Sequence, residues 1–362
     1  MIDRSLRVRD DLVADSASYN MLMTTGLRAE LGPAVWGNWT LDAGVEAGMV
    51  GVVDPVTGAF ELHKPGAIPL DAEIVDEVVP ATWSVQSGSV EHGQEAIDPD
   101  VRRDTWRFPE SHTIVSRGTQ YGRRALADPV RAAYQHHDLV RRWADDRGYA
   151  TSEGILQGFG IVTATYQALG VVNLAALKAH QTFTVEGPSG GVAALVGDGD
   201  PYLAADASYQ RVSPRSPANV EAFVFPPTSE RGGPGTVPYA FEFLSFAGRT
   251  ALPGWVGHVP TMSVSFRNSG SYVVQCTLTY DTVTGRNLRK RVQVGCGIPG
   301  WVYLPVDATD VRVSCRFWHV DDWGPRLDLD PVPSPMQEWR QGQGAVEIQG
   351  WWPGDYDAGW AA

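Results

Sequence analysis

The chain is short of most features that mark the commoner functional classes. It has three cysteines, Cys276, Cys296 and Cys315. None is spaced C-x-x-C with another, which removes zinc-ribbon and thioredoxin-like readings and leaves three buried free thiols as the expectation. Lysine is nearly missing (Lys64, Lys178 and Lys290), and basic residues are outnumbered 29 to 42, for a formal charge of −13. Nucleic acid is therefore not an expected partner, because binding phosphate non-specifically needs a basic footprint. No apolar run reaches the length of a membrane-spanning helix, and MIDRSLRVRDDLV at the start lacks the apolar core of a signal peptide. The expectation is a protein made soluble in the cytoplasm. No repeat of about 20–50 residues recurs.

What is present is turn-rich. The chain holds 39 glycines and 25 prolines in 362 residues, 43% of which are hydrophobic, enough for two domains with real cores. Residues 1–30 carry a helical pattern. Asp54, Pro55 and Gly58 punctuate two apolar runs, Met49–Val53 and Ala59–Leu62, which predicts a hairpin. Extended segments follow at 68–79, 83–90 and 112–117. Asp128 and Pro129 open a predicted helix that Gly148 closes. The charge-poor stretch 158–174 predicts two long strands or one hairpin, and 182–186, 220–225 and 239–246 read as further strands. Pro253 and Pro260 mark a boundary. Residues 1–250 hold 20 basic against 31 acidic side chains and the remainder 9 against 11. After it come five strand-sized runs, 261–267, 271–280, 288–294, 300–305 and 311–318, spaced as in a β-sandwich. The fold class expected is an α+β N-terminal domain (1–250) with a twisted, mainly antiparallel sheet, then an all-β sandwich (251–325) and a Pro/Trp-rich tail (326–362).

Catalytic and metal-binding patterns are weak. Gly187-Pro188-Ser189-Gly190-Gly191 matches G-x-S-x-G, but a nucleophile elbow needs a helix next and a histidine in reach. Gly190 and Gly191 are poor helix starters, so a glycine-rich turn is expected and no enzyme. His136 and His137 are adjacent on a helix and diverge by about 100°, unlike chelating i, i+4 pairs. The pairs Asp198/Asp200, Asp321/Asp322 and Asp328/Asp330 lack the longer spacing of a calcium loop and read as solvated loops. No metal or cofactor is expected. Arg286, Arg289, Lys290 and Arg291 form the one compact basic cluster, suited either to anionic lipid or to blunting an edge strand. Trp301, Trp318 and Trp323 fall at strand ends, as core or as interfacial indoles, with Trp323 the most exposed by its neighbours.

Residues 268–323 resemble the C-terminal β-sandwich of thiol-activated (cholesterol-dependent) cytolysins. Ser269-Gly270-Ser271-Tyr272-Val273-Val274-Gln275 is similar to that family's H-T/S-G-A-Y-V-A-Q strand. Val302-Tyr303-Leu304-Pro305-Val306-Asp307-Ala308-Thr309-Asp310-Val311-Arg312-Val313 is similar to its V-I-P-L-x-A-N-A-R-N-I-R-I segment. Ser314-Cys315-Arg316-Phe317-Trp318 then falls where the family carries its cysteine- and tryptophan-rich membrane loop. The family's E-C-T-G-L-A-W-E-W-W-R is not reproduced beyond Cys315, Trp318 and Trp323. The first 250 residues resemble, in general plan, the pore-forming half of gasdermins.

These resemblances imply a pore-forming, membrane-damaging protein, such as a toxin or a bacterial defence protein. It docks on lipid through the sandwich, with Trp301, Trp318, Trp323, Arg286, Arg289, Lys290 and Arg291 at the membrane. It assembles as a homo-oligomer and inserts hairpins drawn from 158–174 with 181–186 and from 83–90 with 112–117. A protease or partner protein is an expected activator. The alternative is a non-catalytic glycan- or protein-binding module.

Overall fold

The computed structural model describes residues 4–69, 74–200, 212–215, 218–226, 235–258, 261–282, 285–305, 308–319, 322–329, 343–351 and 354–361. Strands dominate, with four helices among the described residues. The chain divides into two compact units, Met1–Pro129 with Gly160–Phe243, and Val130–Phe159 with Leu244–Ala362.

The first unit is built on a long antiparallel ladder. Strand Phe159–Ala176 is a single element of 18 residues rather than the two strands or hairpin expected. It is buried on both faces, so its apolar residues run on without alternation. Thr113–Leu126 pairs along it, and Ile74–Gln86 pairs on the far side of Thr113–Leu126. Val220–Phe225 also pairs with Phe159–Ala176. The hairpin expected of Met49–Val53 with 59–62 is present, its second strand longer than expected, Phe60–Ala67, and its turn closed by Gly58 at φ 69°. Helix Arg4–Leu31 lays Tyr19, Met23 and Leu27, one face at four-residue spacing, against Trp39, Trp83 and Tyr239.

A second sheet orders Ser213–Arg215, Gln181–Pro188, Val101–Phe108 and Glu91–Asp98. The Gln181–Pro188 strand therefore does not form the expected hairpin with 158–174. Helix Ser189–Val196 follows it directly, where a glycine-rich turn was expected. Burial decides this: Val192, Leu195 and Val196 pack with Trp106, Phe183 and Val172, which outweighs the poor helix propensity of Gly190 and Gly191. The helix comes close because Gly170 has no side chain. A Cβ there would stand 2.6 Å from the Ala194 carbonyl oxygen.

In the second unit, the helix expected over 128–148 is two pieces, Pro129–Gln135 and His137–Asp146, broken at His136. His137 is turned against Phe246, ring centroids 5.6 Å apart, and among the described residues no group of three metal-ligating side chains forms. Beyond Thr261 lie two four-stranded sheets. One orders Gly300–Pro305, Thr261–Asn268, Gln343–Gln349 and Asp357–Trp360; the other Leu288–Val294, Val274–Asp281, Thr309–His319 and Asp322–Asp328. Both turn their alternate apolar residues into one core, from Val264, Phe266 and Ile348 on one side to Val274, Leu278 and Val313 on the other. The expected tail thus supplies two strands. Gln343–Gln349 pairs parallel with Thr261–Asn268, and Asp357–Trp360 pairs antiparallel outside it.

Candidate membrane-facing end and a buried charge cluster

The two-sheet region gathers four loops at one end. Val274 stands in register with both Val294 and Phe317, so the segments flanking these three residues leave the sheet together. Trp318 N–H donates to the Val273 carbonyl at 2.8 Å, and Gly297 N–H donates to the Asn268 carbonyl at 2.8 Å. Ser271 N–H donates to the Gly350 carbonyl at 2.9 Å, and the Tyr272 hydroxyl donates to the Trp351 carbonyl at 3.1 Å. The Asn268 amide closes the set by donating to the Tyr272 and Val294 carbonyls. Gly270 is required where it passes Gly350, whose carbonyl oxygen lies 2.5 Å from the position of a Cβ.

This hydrogen-bonded end exposes four apolar side chains. Val273 is 43% exposed, Ile298 66%, Trp318 40% and Trp351 67%. Val273, Ile298 and Trp351 belong to three of these loops and Trp318 to the end of strand Thr309–His319, so this end of the region offers apolar surface to solvent on a hydrogen-bonded backbone. Cys296 sits in one of these loops and is exposed, against the expectation of three buried thiols. Cys276 and Cys315 are buried as expected, with sulfurs 3.7 Å apart across the strand pair. Their shared hydrogen bond, with burial, pushes the Cys276 thiol far above its usual range.

The tryptophans expected at a membrane separate. Trp318 and Trp323 oppose each other in register, ring centroids 5.0 Å apart at 73°. Trp323 is the half-buried member and Trp318 the exposed one, the reverse of the expectation, because the Trp318 ring and the flanking strand cover it. Trp301 is 50% exposed and points off the Gly300–Pro305 edge strand beside Tyr303. The basic cluster lies elsewhere. Leu288 pairs with Tyr280, so the hairpin carrying Arg286 and Arg289 is at the end of the sheet opposite Trp318. Lys290 leaves that cluster and donates to the Tyr303 carbonyl. Sequence reasoning missed Val273, Ile298 and Trp351, whose common position depends on pairing across 80 residues.

In the first unit, a buried charge cluster holds the Glu91–Asp98/Val101–Phe108 hairpin against Thr113–Leu126. The Asp104 carboxylate is wholly buried; it accepts from Arg102 at 2.7 Å and meets His92 Nε2 at 3.1 Å. Arg117 donates to His92 Nδ1 at 3.0 Å and to Asp198 at 2.9 Å. Arg102 and Gln94 also donate to Asp198. Asp198 was expected to be a solvated loop residue; it is instead the acceptor of two guanidinium groups. His92 lies flat on Trp106 with centroids 4.8 Å apart. Burial alone would raise the Asp104 carboxyl, but hydrogen bonds from His92 and Arg102, with the charge of Arg102, outweigh it and hold it below the usual range.

Ser189 begins a helix after a strand, but its backbone N–H is spent on the Asp100 carbonyl, and among the described residues no hydrogen bond joins its side chain to a histidine. Asp328 is paired with Arg326; Asp321 and Asp330 lie outside the described residues.

No family model matches the chain, and no curated protein does. Solved structures of cholesterol-dependent cytolysins are distantly similar in fold. The membrane-binding domain of pneumolysin is matched over 27% of this chain and 95% of that one, at 12% identity and TM-score 0.19. Listeriolysin O is matched over 79% and 67%, at 12% identity and TM-score 0.21. The cytotoxin suilysin from Streptococcus suis is matched over 71% and 59%, at 12% identity and TM-score 0.19.

Proposed function

We propose that the chain is a non-catalytic, pore-forming protein that docks on lipid through the four-loop end of its C-terminal β-sandwich. The observation that carries this reading is the apolar cap of Val273, Ile298, Trp318 and Trp351. Indoles are favoured at the membrane interface, and a cap on hydrogen-bonded loops enters it without first ordering a disordered segment.

The first unit supplies the element to insert. A bilayer is crossed only by segments whose backbone groups are all paired, and a barrel strand needs about 9–11 residues to do so. Residues 74–126 already form one antiparallel ladder in two parts. Ile74 pairs with Leu126 and Gln86 with Val115; after a break, Glu91 pairs with Arg107 and Asp98 with Val101. The register nearly carries through, so straightening at 87–90 and 109–112 yields a single long hairpin from a kinked one. The expected partnership of 83–90 with 112–117 is present over part of its length, from Ser84 with Arg117 to Gln86 with Val115. The charge cluster at His92, Arg117 and Asp198 spans the kink and keeps it bent. Among the described residues Ile74–Gln86 is an edge strand, with Val75, Val78 and Val79 exposed, the side on which a second copy adds during assembly. In this reading the protein is made soluble, acts at a membrane after release, and is activated by a protease or partner that loosens the cluster.

Dye release from liposomes of several compositions tests the reading. The parent should release dye, and Trp318→Ala with Trp351→Ala should lose most of it while melting like the parent. A parent that neither sediments with liposomes nor releases dye removes the proposal.

A further inference from the structure

The outward face of the second sheet of the two-sheet region carries a ladder of arginines that the docking end does not use. Five of the nine basic residues after Thr250 stand on it: Arg289, Arg291, Arg312, Arg316 and Arg326. Arg312 and Arg326 are paired with Asp310 and Asp328. Arg289, Arg291 and Arg316 are exposed and have no carboxylate partner among the described residues.

Register fixes where they stand. Arg316 opposes Gln275, which opposes Gln293. Two residues further from the Trp318 end, Ser314, Thr277 and Arg291 share a row. Two further again, Arg312, Thr279 and Arg289 share the next. At about 3.3 Å per residue the free guanidinium groups follow the strand direction over about 13 Å, and the last row is about 20 Å from Trp318. Between them stand hydroxyl and amide side chains and one carboxylate, Asp328, which opposes Ser314 and is held by Arg326.

We infer that this face binds a linear acidic polysaccharide, a polymer that offers carboxylate or sulfate groups to Arg289, Arg291 and Arg316 and sugar hydroxyls to Thr277, Thr279 and Ser314. A bilayer fits the ladder poorly. If the Trp318 end meets lipid, as proposed above, the ladder runs away from the surface, and its far row stands about two Debye lengths above the headgroups at 0.1 M salt. A chain rising from the target surface lies along it instead. The charge contrast is local: the protein as a whole carries −13, so a polyanion is repelled everywhere except at a face like this one. Each exposed guanidinium–carboxylate contact is weak and screened, so affinity comes from several rows engaging one polymer.

The probe is alginate, a linear polyuronate, titrated into the full chain by calorimetry, with neutral dextran as control. Alginate should bind at low salt, binding should fade as salt rises, and dextran should not bind. Arg289→Gln, Arg291→Gln and Arg316→Gln together should weaken alginate binding at least about tenfold with an unchanged melting temperature, while Trp318→Ala with Trp351→Ala leaves it intact. Equal binding of dextran, or full alginate binding by the triple variant, overturns the inference. So does a parent that ignores alginate but needs the three arginines to sediment with acidic-lipid vesicles, since the ligand is then the bilayer. A parent that binds alginate through the arginines and releases no dye upholds the ladder while the pore reading fails.

Discussion

Arg117 donates to Nδ1 of His92 at 3.0 Å, and that single contact fixes the imidazole. A guanidinium has only donors, so Nδ1 is the acceptor and the ring proton sits on Nε2, facing the Asp104 carboxylate 3.1 Å away. The histidine thus bridges a cation on one sheet to a buried anion on the other, with Trp106 as its floor.

The first prediction concerns Asp104. Its carboxyl is held below the usual range in the folded protein, and Asp198 is shifted the same way against the burial that would raise it, by Arg102 and Arg117. A depressed carboxyl stabilises the fold above its unfolded value, near pH 4, and that contribution disappears as pH falls through the folded value. Melting followed from pH 8 to pH 3 should therefore show the first unit weakening below about pH 4. Asp104→Asn strips a buried ion cluster of its anion, which costs about 3–5 kcal/mol at neutral pH, and should flatten the acid limb. An acid limb identical to the parent's counts against the assignment.

Local signals placed the hairpin of Met49–Val53 with the run from Ala59 and the five C-terminal runs, because Pro, Gly and Asp punctuate them and apolar residues recur along them. They failed where tertiary contact decides. The 18-residue strand Phe159–Ala176 lies between other strands and is covered on both faces, so it shows a continuous apolar run that periodicity cannot assign. Helix Ser189–Val196 survives two glycines because a core receives it. Gln343–Gln349 had a signal, Gly344, Val346 and Ile348 facing inward at every second position, but its parallel partner is 80 residues away. Among the candidate residues, Trp318 was legible from its type. Arg316 and Trp351 were not, since what distinguishes them is which strands and loops stand beside them.

The cysteines give a second prediction. Cys276 and Cys315 face each other inside the two-sheet core, and Cys296 is exposed in a loop. A thiolate is the reactive form; the hydrogen bond from Cys315, with burial, pushes the Cys276 thiol up, and both inner sulfurs are out of reach of a reagent in solution. An aromatic disulfide reagent should find one fast thiol per native chain and three after denaturation, with Cys296→Ser abolishing the fast one. Two or more fast thiols in the native protein contradict this packing.

Gly170 gives a third. A methyl group at this position meets the Ala194 carbonyl oxygen at 2.6 Å and the Leu195 Cα at 2.7 Å, both backbone atoms that do not rotate away. Gly170→Ala should force helix Ser189–Val196 off the sheet and lower stability by about 1–3 kcal/mol, the usual scale of overpacking. Gly190→Ala, where a Cβ meets nothing, is the control and should be neutral or slightly stabilising in a helix. Similar melts for the two variants refute the close approach.

The last prediction separates docking from insertion. Gln94, on the hairpin, and Asp198, after the helix, are hydrogen-bonded through their side chains although 104 residues apart. If residues 74–126 straighten into one hairpin, Gln94 must leave Asp198, since the turn at Asp98–Val101 swings away from the sheet that anchors the helix. Gln94→Cys with Asp198→Cys, in a Cys296→Ser background, places two thiols that a short cleavable bis-maleimide can bridge. The bridged protein should still sediment with liposomes, because the docking end is untouched, but should release little dye; cleaving the linker should restore release to that of the unbridged variant. The cross-link also raises stability by restricting the unfolded chain, so lost release must be judged against that same unbridged protein. If the bridged form permeabilises liposomes at the unbridged rate, this hairpin stays folded during pore formation and some other strands cross the membrane.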